Sequence, residues 1–313
     1  MGIPEHDPAI PRTTIDDISS RDHHYIPKFY FKGFSDSEGM LYLYDKQTKR
    51  IRGTAPGGAF YQKHGNTGNI QHPMTGEKHW TDLAERLFSG LESQMVTALD
   101  ILKMTNAGFR ATDSAAVVDT IKSLIQFLFW RTPANRERLE QVIDLISLPE
   151  LGLQCVDDQG NRLEEVEELM KTIDLWRKFS PALLAAGREF SRFACRNQTD
   201  WDILYEKNGF SFVTDNPILL RDYEDPSSLE SNLLFPLTGD MLVLAHSGTK
   251  RKRMPAEVRE ELDVLLFHQA DRYVASASKE YLVRICEKAV RFSFRGDRWQ
   301  ERLKQEVFNA FIE

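Results

Sequence analysis

Cysteine is scarce in this 313-residue chain. Cys155, Cys195 and Cys286 stand far apart and no two form a CxxC pair, which argues against a cysteine-built zinc site and for a reduced, cytoplasmic setting. Long apolar runs are missing as well. "SLIQFLFW" is interrupted by Gln126 and stopped by Arg131, well short of the ~18 residues that cross a bilayer, so no membrane partner is expected. The start "MGIPEHDPAIPRTTIDD" lacks the apolar core of a secretory signal, and His6 stands where a myristoylation motif needs Ser or Thr. Positive charge is not in excess: 40 Lys and Arg face 47 Asp and Glu, for a net charge of −7. A general duplex binder needs a basic surface to displace counterions, so that class is disfavoured. GxxxxGK[ST], GxGxxG and GxSxG are all absent, which speaks against a P-loop, a dinucleotide fold and a serine elbow.

What is present reads as an ordinary globular protein, 41% hydrophobic and 28% charged. Residues 1–20 carry three prolines and little periodicity and are expected to form an extended arm; 21–313 then form a single α+β domain. The expected architecture is a mainly helical body with a small antiparallel sheet from an N-terminal hairpin and C-terminal strands. Pro27 opens a short aromatic helix that ends at Gly33, and "MLYLYDKQTKRIRG" is a hairpin turning at Lys46–Lys49. The Gly-rich stretch after it reads as a loop. Leu83, Leu87, Leu91 and Met95 form a four-residue stripe on one helix, and "DSAAVVDTIKSLIQFLFWR" is a more fully apolar, central one. A long helical stretch follows, with Pro181 as its expected joint. Beyond residue 200 the texture turns to strands, with Asn208-Gly209 as one hairpin signal and Thr238-Gly239-Asp240 as another. The segments 255–272, 272–278 and 279–290 read as helix, with Pro255 near its start, strand and last helix.

Five short motifs occur in order: "HHYIPKFYFKGF", "LYLYDK", "RTP" at 131–133, "FVTDNP" at 212–217 and "FPLTGD" at 235–240. In that combination, over residues 22–285, the chain resembles the DUF4238 family, bacterial proteins of unknown function with a His-His-Tyr-Val-Pro-like signature. It departs in Thr214, where serine is usual, and in its Gly-rich 53–76 segment. The resemblance implies no activity.

The chemistry must therefore come from the residues. His24 is a candidate general base, and its neighbour His23 the residue that caps or braces the short helix. In an extended lead-in, alternation should turn only one of the two inward, and His24 is expected inward, against Asp215. Asp215, at a strand end, is the candidate orienter; Thr214, Asn216 and Tyr25 are the candidate substrate contacts. The bland alternative is that Asp215 and Asn216 bond their own turn ahead of Pro217. Arg131 ends an apolar helix and must find Asp215, Glu92 or carbonyl oxygens; as a catalytic group it would stabilise an anion. Glu92 is the candidate ligand for a divalent metal ion, seven residues from Glu85 on the same face, with Glu85 itself expected to be solvated. Lys250, Arg251, Lys252 and Arg253 form a basic strip suited to nucleic acid or nucleotide phosphates. Two functions fit. One is a hydrolase, such as a nuclease of the toxin or phage-defence effector type, using His24, Asp215 and Arg131. The other is a non-catalytic binding protein in which the same groups form a buried polar network. Convergence on an open cleft would favour the first, and mutual satisfaction with no cavity the second.

Overall fold

The computed structural model describes residues 22–71, 75–104, 115–151, 153–186, 200–205, 212–222, 232–246, 256–294 and 298–311. The expected N-terminal arm, the Asn208-Gly209 turn and the basic strip Lys250–Arg253 lie outside the described residues. The chain begins with β1 (Asp22–His24), α1 (Lys28–Lys32) and the hairpin β2 (Leu41–Asp45) and β3 (Arg50–Thr54). The Gly-rich stretch expected to be a loop instead holds β4 (Tyr61–Lys63) and the start of β5 (Gly68–Gln71), and β6 (Lys78–Thr81) follows it. β4 pairs antiparallel with β1, and β5 with β6, so the segment builds two small ribbons. Helices α2 (Leu83–Met104), α3 (Ala115–Arg131), α4 (Arg136–Leu145), α5 (Glu164–Lys171) and α6 (Asp174–Ala186) follow. Then come β7 (Asp200–Tyr205), β8 (Val213–Thr214), β9 (Leu219–Leu220), β10 (Leu233–Thr238) and β11 (Met241–His246). Helix α7 (Ala256–Gln269), β12 (Tyr273–Ser276), α8 (Lys279–Ser293) and α9 (Trp299–Phe311) close the chain.

The fold is α+β with antiparallel sheets. The hairpin β2–β3 joins β12 and β8 in one four-stranded sheet, order β3-β2-β12-β8; a second runs β7-β11-β10-β9. The described strands on either side of Asn208-Gly209 do not pair with each other: β7 pairs with β11 and β8 with β12, in different sheets. The hairpin around Gly239-Asp240 does form, as β10–β11.

Period-two alternation decides which core each strand residue enters. On β10 and β11 every residue is buried. Phe235, Leu237 and Val243 enter an apolar cluster with α1, α2, α3, α4 and α6, while Leu234, Leu242 and Leu244 enter another with α7, α8 and α9. On β2, Leu41 and Leu43 face the first cluster, and Tyr42 and Tyr44 the second. The sheets are thus a wall shared by two clusters, not the border of two cores split at residue 200.

Helix α1 is fastened to this wall. The Tyr30 hydroxyl donates to the Pro236 carbonyl at 2.5 Å and its ring stacks on Phe235. Gly33 lets the turn after β10 close in: a Cβ there would meet Thr238 Cγ2 at 3.0 Å, and Gly239 N–H donates to the Gly33 carbonyl.

Three further expectations change. The buried stripe of α2 is Ala84, Phe88, Met95 and Leu99, while Leu83 and Leu87 are about two-fifths exposed. The stripe is turned one residue because Glu92 continues it, facing Arg131. The long helical stretch breaks at 172–173, where Thr172 closes α5, and Pro181 is carried inside α6. The last helix is α9, beyond the one expected to end the chain.

Lys46, after β2, ties the hairpin to the far layer. Its ammonium donates to the carbonyls of Phe267, His268 and Ala270 at the end of α7 and covers the Phe267 ring. A cation there meets both the orphan carbonyls and the helix dipole. Lys46→Met should therefore cost about 2 kcal/mol, read as a lower urea midpoint with unchanged slope.

Candidate functional site

Both opening histidines are buried, His23 at 1% and His24 at 7% exposure. The expectation that only one faces inward fails because β1 has cover on both sides, from β4 and from the 57–66 segment. His23 Nδ1 accepts the backbone N–H of Asn66 at 2.9 Å. His24 Nε2 lies 3.2 Å from the Gly57 carbonyl, to which it donates, leaving Nδ1 as the basic nitrogen. Burial, then Lys28, hold the His24 imidazole below its usual range, with Arg131 acting in the same direction and Glu85 opposing.

Arg131 is where the expectation of a buried, acid-paired arginine is met. Its side chain is 2% exposed, and it donates to Glu92 at 2.5 Å and to Glu85 at 3.5 Å. The guanidinium lies 4.2 Å from the Phe88 ring centre and 5.0 Å from that of Phe127. Its Nε–H has no acceptor among the described residues. Glu85, expected in solvent, also accepts from the Asn66 amide at 2.6 Å. Glu92 clamps Arg131, and among the described residues no three His, Cys, Asp or Glu gather around it. Burial pushes the Glu92 carboxyl up, against the pull of Arg131.

The other candidates fall elsewhere. Asp215 accepts the backbone N–H groups of Asp271 at 2.9 Å and of Arg272 and Tyr273 at 2.7 Å, locking β8 to the turn before β12. His24 and Asp215 thus have separate partners, and the expected pair is not made. Thr214 is fully buried and accepts from Asn216 N–H; Gln269 donates to the carbonyls of Asn216 and Ile218. Tyr25 packs edge-on to Phe60 on the Asp215 side, and burial, then the Asp215 charge, push its hydroxyl well up. Thr214, Asp215 and Asn216 form a turn lock in which Asp215 bonds the 271–273 backbone and not its own turn, and Tyr25 packs beside it. A close His–Asp pair exists between β11 and β7, where His246 Nε2 meets Asp202 at 3.0 Å, with both residues buried.

Beside Arg131 opens a cavity of about 240 Å³. Its walls are one face of α4, one face of α6, and the Gly65-Asn66 turn. Lys178 donates to the Gly65 carbonyl at 2.9 Å, which fixes the turn to α6. Burial holds the Lys178 ammonium below its usual range; Asp174 opposes, and Arg136 across the cavity adds to the lowering. Among the described residues neither Arg136 nor Arg177 has an ion-pair partner. Arg136, Arg177 and Lys178 were not anticipated from sequence. Their spacing with Leu139, Ile143 and Pro181 is that of any half-solvated helix, so no local signal separates them from a plain surface.

The family model described as "Protein of unknown function (DUF4238)" matches residues 22–280. No curated protein and no solved structure matches the chain. No helix among the described residues is long and apolar enough to cross a membrane.

Proposed function

The chain belongs to the DUF4238 family of proteins of unknown function, and from its own side chains we propose that it binds a small anionic ligand in the cleft between α4, α6 and the Gly65-Asn66 turn. One observation carries this reading. Arg136 from one helix and Arg177 and Lys178 from another line a single cavity, where burial holds the Lys178 ammonium below its usual range. A ligand anion would supply the counter-charge that this cavity lacks. Helix α4 begins at the same place, and the Asn135 side chain donates to Phe129 and Thr132 instead of capping the helix N–H groups, so the positive end of the helix dipole adds to the field. The test is thermal unfolding with inorganic phosphate at constant ionic strength. Phosphate at ten times its Kd should stabilise the wild type by about 1.4 kcal/mol and leave Arg136→Ala/Lys178→Met unmoved. A wild type that ignores phosphate would refute the reading.

Hydrolysis, as in a nuclease, is the second reading, favoured by His24: it is neutral, has its Nδ1 lone pair free of the Gly57 bond, and feels the charges of Arg131 and Glu85. Turnover of a chromogenic phosphodiester, with and without added Mg²⁺, by the wild type but not by His24→Ala would support it. Unchanged turnover in the variant would remove His24 from the chemistry.

A further inference from the structure

The cleft has two unlike ends and an apolar middle. On α4 the lining residues are Arg136, Leu139, Glu140, Ile143 and Asp144, the i, i+3, i+4, i+7, i+8 set of one helix face. Arg136 is at the first turn beside Thr132 and Pro133; Glu140 and Asp144 lie about 6 Å and 12 Å further along the axis. The opposing face of α6 sets Arg177 and Lys178 against them, with Pro181 a turn on. Asp174, the remaining carboxylate, is occupied by the backbone and side-chain amides of Asn69 at 3.3 and 3.2 Å. Arg136 and Arg177 are thus the cations free to meet an anion, joined by Lys178, which gives one of its three N–H groups to Gly65; Glu140 and Asp144 are the carboxylates free to accept, and Leu139, Ile143 and Trp130 the surface between.

We infer that the ligand is a phosphate monoester with a planar or apolar body that donates hydrogen bonds from its far end, the size of one mononucleotide. This rests on the anion-binding reading above. Three cations from two helices suit a dianion approached from several sides better than a singly charged carboxylate. The buried Leu139, Ile143 and Trp130 offer a body of matching polarity its binding energy. Glu140 and Asp144 accept hydrogen bonds and repel a second anion, so the ligand's far end must be a donor such as an amine, exocyclic amino group or hydroxyl. At about 240 Å³ the cavity takes no more than one such unit and excludes a duplex or a folded peptide.

Calorimetric titration of the full chain with adenosine 5′-monophosphate, adenosine, inorganic phosphate and a 5′-phosphorylated single-stranded oligonucleotide tests this. The monophosphate should bind at least tenfold tighter than either phosphate or adenosine, and the oligonucleotide no tighter than the monophosphate. Lys178→Met should weaken phosphate and monophosphate alike by tenfold or more. Glu140→Gln/Asp144→Asn, at the far end of the cleft, should weaken the monophosphate several-fold and leave phosphate unchanged or slightly tighter. Equal affinity for phosphate and the monophosphate would overturn the inference while leaving an anion site in place. An oligonucleotide bound tenfold tighter than the monomer would overturn it in favour of a polymer. No binding of any phosphate compound would overturn this inference and the anion-binding reading together.

Discussion

Arg131→Met is expected to lower the free energy of unfolding by about 3–5 kcal/mol. The arginine is nine-tenths buried between two aromatic rings, and it is the cation against which Glu92 and Glu85 are held. Methionine fills much of the volume, so most of the loss comes from two partly buried carboxylates left without their counter-charge. The pH dependence separates this cause from lost packing. Glu92 already has its carboxyl pushed up by burial against the pull of Arg131, and removing the guanidinium raises it further. A folded-state value above the unfolded one means that the folded chain holds the extra proton, so stability falls as pH rises through that window. The deficit of Arg131→Met should therefore shrink as pH is lowered from 7 towards ~4, near the ordinary Glu value. Glu92→Gln added to Arg131→Met should recover part of the loss at pH 7. Urea unfolding of the wild type, Arg131→Met and the double variant at both pH values reads this directly. A deficit independent of pH and not eased by Glu92→Gln would mean that the pair matters only as packing.

How far the molecule can be read from its sequence follows from how local each signal is. The β2–β3 and β10–β11 hairpins are legible because turn and alternation fall within a dozen residues. Helix α3 is legible because its apolar run is stopped locally at Arg131-Thr132-Pro133, and α7 because Pro255 stands near its start. The division of strands between two sheets is not, because Asn208-Gly209 reads as a hairpin while the partners of Tyr205 and Val213 are set by strands far along the chain. The α2 stripe misleads for a related reason. Leu83, Leu87, Leu91 and Met95 are the better apolar set, yet the helix turns so that Glu92 and Glu85 meet an arginine 39 and 46 residues away. Arg131 is legible as a buried, acid-paired group because a charge ending an apolar helix has few other fates. The cations of the cleft are not, because nothing in "ANRERLEQVIDLI" or "IDLWRKFSPALL" shows that α4 and α6 stand apart enough to leave a cavity between them. His24 and Asp215 show the opposite error. Each is buried and polar, as expected, but local backbone groups satisfy both before they can meet.

Asp215→Ala should cost about 3 kcal/mol or more, because three backbone N–H groups lose their acceptor at the turn into β12. Asp271 is exposed and water can replace its bond, which keeps the figure near the lower end of three unsatisfied donors. Asp215→Asn retains one acceptor oxygen and the side-chain shape, so it should cost less at pH 7. Its pH profile carries the sharper expectation. Burial raises the Asp215 carboxyl to about 6, although the N–H bonds of Tyr273 and Arg272 pull it down. The folded chain then binds the proton more tightly than the unfolded chain, whose carboxyl titrates near ~3.9. Stability is lost as pH rises from about 4 to about 6, by up to about 3 kcal/mol, and is level above. The side-chain amide of the Asp215→Asn variant does not titrate, so the stability of the wild type relative to this variant should fall by up to about 3 kcal/mol as pH rises from ~4 to ~6 and stay constant above, as followed by urea unfolding across that range. The turn lock is also separate from the cleft, so phosphate binding by folded Asp215→Asn should match the wild type within a factor of about two, well under the 1.4 kcal/mol of a tenfold change. A variant that keeps its stability at every pH but loses the ligand would return Asp215 to the functional site and end its reading as a structural turn.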